Sequence, residues 1–369
     1  MVNKLFICLL SGLISLQLFS QSDINGRVVD AETNTPIEKV KVFFNNTTIA
    51  TLTNENGEFH FDAVRMFNSE IVIYAPGFEL LVYKTSPEAL NGKRILFRLV
   101  KKVEPSEKVV LQLADRSRFI KSFSELLIGR TDEADKSVIE NESEIYLENT
   151  SNTLANEIAS DVPLIIINKK LGYRLTYFLS QSTYGYHEFQ VNGFAFFESI
   201  SDERKVIKNR EENYYGSTLH FFRSLISRKL YEENYAMGIT VKATDSAAIT
   251  STSALIAPVH DSIRQVSERD ILSINDSTNE LSINVKGGRL MVQYLKNPHS
   301  KYDLARHGVM AGFLETGVES TIIFDEMPVT IKYPGIPDNF SDIQYYGYWG
   351  FENLANKLPY DYEPPKHYR

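Results

Sequence analysis

The residues best suited to contact a ligand form an aromatic cluster at positions 345–351, where five aromatic residues are interrupted by Gly347 and Gly350. Flat rings beside small residues can stack on a sugar ring or a peptide, and Tyr and Trp are enriched at interfaces. We therefore take Tyr346, Tyr348 and Trp349 as candidate binding residues. The structural alternative, which the pattern favours, is that the same rings pack the final helix onto the sheet.

A second candidate lies in a charged segment, residues 203–230, for which the spacing predicts a helix. His220 and Arg223 are three residues apart and would share one helical face, which would suit an anion. Phe221, Phe222 and Leu225 would bury the helix on one side. In that case His220 and Arg223 make structural hydrogen bonds or ion pairs, which is the interpretation that the pattern favours.

Carboxylates offer a catalytic alternative. Glu188, Asp325 and Glu326 are the candidates for a hydrolase that works with paired acids, although adjacent strand residues such as Asp325 and Glu326 point to opposite faces. Asp30 begins an alternating acidic stretch that is similar to a calcium loop, but the stretch lacks the loop's glycine and closing glutamate. A solvated turn is the better interpretation there.

Most catalytic signatures are missing from the sequence. It contains no zinc-protease helix motif, nucleophile elbow, phosphate loop or dinucleotide fingerprint. Its only cysteine, Cys8, lies in the N-terminal apolar segment, so a thiol nucleophile is not expected in the mature chain. The sequence therefore predicts no catalytic residues, no metal site and no cofactor.

The first 21 residues indicate export. Lys4 precedes an apolar run at positions 5–19, and Ser20 and Gln21 follow it, which is the form of a signal peptide. A run of about 15 residues is short for a membrane span, so we expect no integral membrane protein after cleavage. The predicted location is the periplasm or cell envelope, with secretion as the alternative. A net charge of −8 gives no basic field for nucleic acid.

Short alternating strands fill residues 22–100, and turn residues separate them. The clearest turn is Asn56-Gly57, because both residues tolerate a positive φ in a hairpin. About seven strands in so short a stretch predict a β-sandwich.

The same stretch resembles a known family. Gly26-x-Val28-x-Asp30, Thr33-x-x-Pro36 and Thr53-x-x-x-Gly57-x-Phe59 are similar to the carboxypeptidase regulatory-like domain, a transthyretin-like sandwich. The resemblance implies a non-catalytic folding or docking module of the kind that accompanies carboxypeptidases and precedes bacterial outer-membrane receptors. A bacterial source is indicated separately, because a large exported chain from an oxidising eukaryotic compartment would usually contain cysteines outside its signal peptide.

The remaining chain predicts a linker at residues 101–113 and a larger α+β domain at residues 114–369. A helix should begin near residue 114, and residues 162–168 and 171–179 should form a hairpin. Further strands at 280–285, 289–295, 320–324 and 329–333 predict an antiparallel sheet, with a tight turn at 286–288 joining the first two. A short helix at 350–358 should close the domain. This region resembles uncharacterised exported bacterial proteins that carry the same sandwich.

These observations predict a mainly β protein: a seven-stranded transthyretin-like sandwich followed by a larger α+β domain with an antiparallel sheet and a few helices. The functional hypothesis is a non-catalytic, exported cell-envelope protein. The sandwich would act as a docking or folding module, and the larger domain would bind a protein or glycan partner. The alternative is a hydrolase that acts on an envelope polymer through the carboxylates named above.

Overall fold

The computed structural model describes residues 21–65, 70–84, 90, 93–103, 108–109, 113–148, 155–185, 189–241, 262–274, 280–296, 318–332, 335–337 and 343–365. The predicted signal peptide, apart from Gln21, lies outside the described residues, and so does Glu188.

The N-terminal sandwich contains the seven strands that the sequence predicts. They are β1 (Gln21–Asp30), β2 (Lys41–Phe44), β3 (Ala50–Leu52), β4 (Glu58–Arg65), β5 (Ile71–Tyr74), β6 (Leu81–Tyr83) and β7 (Arg94–Leu99). They form two sheets, ordered β4-β1-β7 and β3-β2-β5-β6, and only β1 and β7 pair in parallel among these strands. Alternating side chains such as Val28, Val42, Phe59 and Ile73 bury in the core between the sheets.

The middle unit also has two sheets, covered by one helix. Its elements are β8 (Lys108–Val109), α1 (Leu113–Leu127), β9 (Ser137–Ile139), β10 (Ile145–Glu148), β11 (Ala155–Ser160), β12 (Leu164–Asn168), β13 (Tyr173–Leu179), β14 (Thr183–Gly185), β15 (Phe189–Gln190) and β16 (Gly193–Ser199). The sheets are ordered β15-β14-β11-β10-β8 and β16-β13-β12-β9. The β12–β13 hairpin is confirmed, and β8 lies inside the predicted linker.

The C-terminal unit begins with two helices and has its own pair of sheets. Its elements are α2 (Arg204–Tyr214), α3 (Thr218–Ile226), β17 (Tyr235–Val241), β18 (Ser262–Val266), α4 (Glu268–Ile271), β19 (Leu272–Ile274), β20 (Leu281–Ile283), β21 (Arg289–Tyr294), β22 (Val318–Phe324), β23 (Val329–Lys332), β24 (Ile336–Pro337) and β25 (Ile343–Gly347). The sheets are ordered β18-β17-β21-β22-β25 and β19-β20-β23-β24. The sequence does not decide whether residues 114–369 form one domain or two. The described part of this region contains two hydrophobic cores, with α2 and α3 at their junction.

Four local predictions were wrong. The Asn56-Gly57 turn forms, but β3 and β4 on either side of it belong to different sheets, so it closes no hairpin. Gly287 and Gly288 form the expected turn with positive φ, but β20 and β21 belong to different sheets, so the turn crosses between sheets and closes no hairpin. The predicted helix over residues 203–230 is broken at Tyr215–Ser217, where Gly216 has a φ of +90°. The predicted closing helix is a 3₁₀ turn, Tyr348–Phe351, followed by irregular chain that side chains from α2 and the middle unit hold in place.

The N-terminal sandwich contacts the middle unit through an aromatic interface. Phe43 and Val72 point away from the sandwich core and bury against Phe178 and Phe196. The rings of Phe43 and Phe178 stack with their centroids 5.1 Å apart. Beside them, the Asn46 backbone N–H donates to the Ala195 carbonyl at 2.7 Å. The sandwich is therefore bonded to the rest of the chain through both core contacts and backbone hydrogen bonds.

Within the described residues, no helix is both long enough and apolar enough to span a membrane.

Candidate functional site

The outer face of the sheet β18-β17-β21-β22-β25 carries one continuous cross-strand row of side chains. Directly paired residues in antiparallel strands point to the same face. The pairs Gln265–Gly238, Gly238–Met291, Met291–Thr321 and Thr321–Tyr346 therefore place five side-chain positions in line across all five strands. Tyr346, one of the predicted binding residues, is the last member of this row and is 49% exposed.

A groove of about 350 Å³ opens at the other end of the row. It forms because the outward residues of β17 at this point, Ala236 and Gly238, are small, while its inward residues Tyr235, Met237 and Ile239 fill the core. Larger side chains on the flanking strands, Ile263 and Met291, form the walls. A Cβ atom at Gly238 would lie 2.7 Å from Ile263 Cγ2, so the depression depends on this glycine.

Polar side chains meet at the groove from three strands. Gln265 comes from β18, Gln293 from β21 and Glu319 from β22, and Gln293 pairs directly with Glu319. Burial raises the pKa of the Glu319 carboxyl above its usual range. Two carboxamides and one carboxylate offer both hydrogen-bond donors and acceptors to a ligand.

The sequence analysis found Tyr346 but missed Gly238, Gln265 and Glu319. These residues are far apart in the chain, and only the strand pairing brings them together. One signal was available in the 235–241 strand, where outward positions are small and inward positions are large. A strand with one such face indicates a depression or a close neighbour.

His220 lies in the junction between the two larger cores and not on a surface. Its side chain is 4% exposed, and its Nδ1 accepts hydrogen bonds from the Gly216 N–H at 3.1 Å and the Tyr235 hydroxyl at 2.9 Å. Desolvation lowers the pKa of His220 to about 4, although Nε2 lies 3.4 Å from the Glu233 carboxylate. A buried, neutral imidazole with these partners is structural.

Arg223 holds the C-terminal segment of the described chain. Its guanidinium donates to the backbone carbonyls of Tyr362 at 2.8 Å and Tyr360 at 2.9 Å, and it lies over the Tyr214 ring. The donors that an anion would require are thus directed at the chain itself. His220 and Arg223 do not form the anion site that their spacing would permit.

Tyr348 and Trp349 are both 4% exposed and pack in the C-terminal core. The Trp349 indole N–H donates to the Gly216 carbonyl at 2.8 Å, and its ring lies 5.2 Å from that of Phe221. Neither ring is available for stacking on a ligand. The aromatic cluster is therefore divided: Tyr348 and Trp349 pack in the core, and Tyr346 faces outward.

The proposed carboxylate sites are turn and surface residues. Asp30 Oδ1 accepts the backbone N–H groups of Glu32 and Thr33, and Lys101 Nζ lies 3.5 Å from Oδ2. These backbone hydrogen bonds lower the pKa of Asp30. Asp325 accepts a hydrogen bond from Gln344, and Asp325 and Glu326 are both exposed. The described residues hold no cluster of three or more potential metal ligands.

The N-terminal sandwich has the turn and strand order on which the family resemblance rests. Gly57 sits in the Asn-Gly turn with a φ of +70°, where a Cβ would lie 2.4 Å from the Val28 carbonyl oxygen. Residues 24–111 match the CarboxypepD_reg-like domain family. The match extends through β8, so the CarboxypepD_reg-like domain includes part of the predicted linker.

Comparison of the whole chain adds little. No curated protein matches it. A solved structure described as a "putative carbohydrate binding protein" from Bacteroides uniformis has 9% identity and a TM-score of 0.19, covering 48% of this chain and 79% of that one. Another, a "putative membrane-associated protein of unknown function" from Bacteroides fragilis, has 7% identity and a TM-score of 0.18, covering 85% and 91%. TM-scores this low carry no weight for function.

Proposed function

We propose that the protein is a non-catalytic binding protein exported to the cell envelope, and that the groove on the outer sheet face is its ligand site. The observation that carries the proposal is the five-residue row from Gln265 to Tyr346. It joins a concave floor, polar groups and an exposed ring on one rigid sheet, and a rigid sheet is a suitable support for a binding site.

The chemistry of the groove favours binding over hydrolysis. Among the described residues that line it, Glu319 is the one titratable side chain. Glycoside hydrolysis by carboxylates requires an acid and a second carboxylate about 5–10 Å apart. Gln265 and Gln293 provide hydrogen bonds but no proton transfer at neutral pH.

The CarboxypepD_reg-like domain supports this function as a docking module. Its Phe43 and Val72 are covered by Phe178 and Phe196, so this face is occupied by the same chain. In addition, the Thr48 backbone N–H donates to the Asp361 carboxylate at 2.9 Å, which connects the domain to the C-terminal segment. In this proposal the domain holds the larger region in place, and the larger region binds the ligand.

Co-sedimentation of residues 22–369 with insoluble envelope material tests the proposal, with soluble fragments measured in the same samples. We expect saturable binding without release of fragments. Gln265→Ala should weaken binding, because it removes a polar group from the lining of the groove. Gln265 is exposed, so we expect the variant to fold like the wild type.

Arg264→Ala is the matched control, since this neighbour on β18 is also exposed and points to the opposite face. Binding that is absent, or equal in the Gln265→Ala and wild-type proteins, would contradict the proposal. Release of fragments would favour the hydrolase alternative instead.

A further inference from the structure

The lining of the groove indicates the class of its ligand. We infer that the groove binds a neutral, hydroxyl-rich glycan that lies across the strands from Gln265 toward Tyr346. This inference rests on the proposed function and specifies its ligand.

The polar groups match hydroxyl groups. A sugar hydroxyl both donates and accepts hydrogen bonds, so it can donate to the Glu319 carboxylate and bond in either direction with the Gln265 and Gln293 carboxamides. These side chains come from three different strands and converge on one depression. Such convergence of a few polar groups on an otherwise apolar floor is typical of small-molecule sites.

The charge of the site selects against anions. Glu319 carries the only charge in the part of the lining that the structure describes, and the chain has a net charge of −8. Among the described strand residues on this face, the cation is Arg289, which pairs with Ile323 outside the lining and is exposed to solvent. An acidic polymer would therefore meet repulsion in the groove, whereas a neutral glycan would not.

The apolar surfaces suit the C–H faces of a sugar. Ile263 and Met291 border the depression that Ala236 and Gly238 leave open. Its volume of about 350 Å³ lies at the lower end of the range of about 300–1,000 Å³ for ligand pockets. The groove can thus enclose one small unit of a chain, and the rest of that chain must continue outside it.

Tyr346 lies where such a continuation would pass. It is two strands from Met291 in the same row, about 10 Å at the usual strand spacing. Its hydroxyl donates to Gln344 Oε1 at 2.8 Å, and Gln344 Nε2 donates to Asp325 at 2.9 Å, which fixes the direction of the ring. A ring held in this way can stack on a second sugar unit.

The test uses the full chain, residues 22–369, and three preparations of the same envelope material: untreated, oxidised with periodate to destroy vicinal diols, and digested with proteinase. We expect binding to survive proteinase and to be lost after periodate. Tyr346→Ala and Glu319→Gln should each weaken binding to untreated material by about tenfold, a loss of one well-placed contact.

Two matched variants serve as controls. Tyr231→Ala removes a ring that is 91% exposed on another surface, and Glu326→Gln removes an exposed charge outside the groove. Both should bind like the wild type.

Binding that resists periodate but is lost after proteinase would overturn the glycan assignment, while the proposed binding function would stand. Periodate-sensitive binding that Tyr346→Ala and Glu319→Gln leave unchanged would place glycan recognition outside the groove and would also overturn the inference. Absence of binding to all three preparations would instead contradict the proposed function itself.

Discussion

The indole N–H of Trp349 donates a hydrogen bond to the backbone carbonyl of Gly216 at 2.8 Å. This contact joins the 3₁₀ turn after β25 to the break between α2 and α3. Gly216 has a φ of +90°, and a Cβ there would lie 2.8 Å from the Tyr294 ring. The tryptophan therefore stabilises a turn that the glycine makes possible, and both residues belong to the junction of the two larger cores.

Replacing Trp349 by alanine should lower the free energy of unfolding by about 3–5 kcal/mol, because the change leaves a cavity in the core and an unpaired carbonyl. Urea unfolding measures this loss. Tyr346→Ala, three residues earlier and exposed, should change the free energy by less than about 0.5 kcal/mol. Similar losses in the two variants would show that the cluster is not divided as described.

The buried imidazole of His220 predicts a pH dependence of stability. Its folded pKa of about 4 is below the unfolded value of 6.5, so folding favours the neutral form. The stabilisation is complete above pH 6.5 and is lost as the pH falls toward 4, with an upper bound of about 3 kcal/mol. Urea midpoints between pH 7 and 4 measure the loss.

His220→Gln is the control for this effect, because glutamine does not titrate and its side chain can accept a hydrogen bond from Tyr235. The wild type should lose more stability than the variant over this pH range. Glu352, whose pKa burial raises to about 8, acts in the opposite direction, so the two proteins must be compared at each pH. Parallel profiles would mean that folding does not lower the pKa of His220.

Arg210 of α2 should be among the least replaceable residues. It is buried, and its guanidinium donates to the carbonyls of Leu171 and Gly172 and lies 4.1 Å from the Tyr173 ring centre. Lysine cannot reproduce this planar arrangement, so Arg210→Lys should cost about 2–4 kcal/mol. Arg204→Lys, at the exposed start of the same helix, should cost almost nothing in the same urea titration. Equal costs would contradict this role.

The interface between the sandwich and the middle unit should contribute to stability as a core does. Phe43→Ala removes the ring that stacks on Phe178 and should cost about 3–5 kcal/mol. Limited proteolysis should then cut the chain between the two parts faster than in the wild type. Leu96→Ala is the matched control, because Leu96 is exposed on β7 of the same sandwich. An unchanged digestion pattern would show that the interface does not depend on Phe43.

Glu319→Gln should leave the protein as stable as the wild type or more stable, because it removes a partly buried carboxylate whose pKa is raised. The melting temperature at pH 7.5 measures this effect. A stable variant that has lost ligand binding would identify Glu319 as a residue retained for function. A clear drop in melting temperature would show that the charge is needed for folding.

The sequence was sufficient where the structure depends on local patterns. Alternation predicted the seven strands of the sandwich and the β12–β13 hairpin. Asn56-Gly57 predicted a turn in the sandwich, but the turn joins strands of different sheets and not a hairpin. The sheet membership of β20 and β21 could not be read from the intervening Gly287-Gly288, because the same turn can close a hairpin or cross between sheets. The groove was missed for a related reason: Gly238, Gln265 and Glu319 meet only through long-range strand register.

Asn46 also has a consequence for the order in which the chain can fold. Its carbonyl accepts the Tyr360 N–H at 2.7 Å, so a turn of the sandwich contacts a segment that is synthesised about 300 residues later. Phe43 and Val72 must likewise wait for Phe178 and Phe196. During synthesis the sandwich can close its own core early but keeps an apolar face without its partner. A chaperone that covers this face, or rapid completion of the chain, would protect the protein from aggregation until Phe178 and Phe196 are in place.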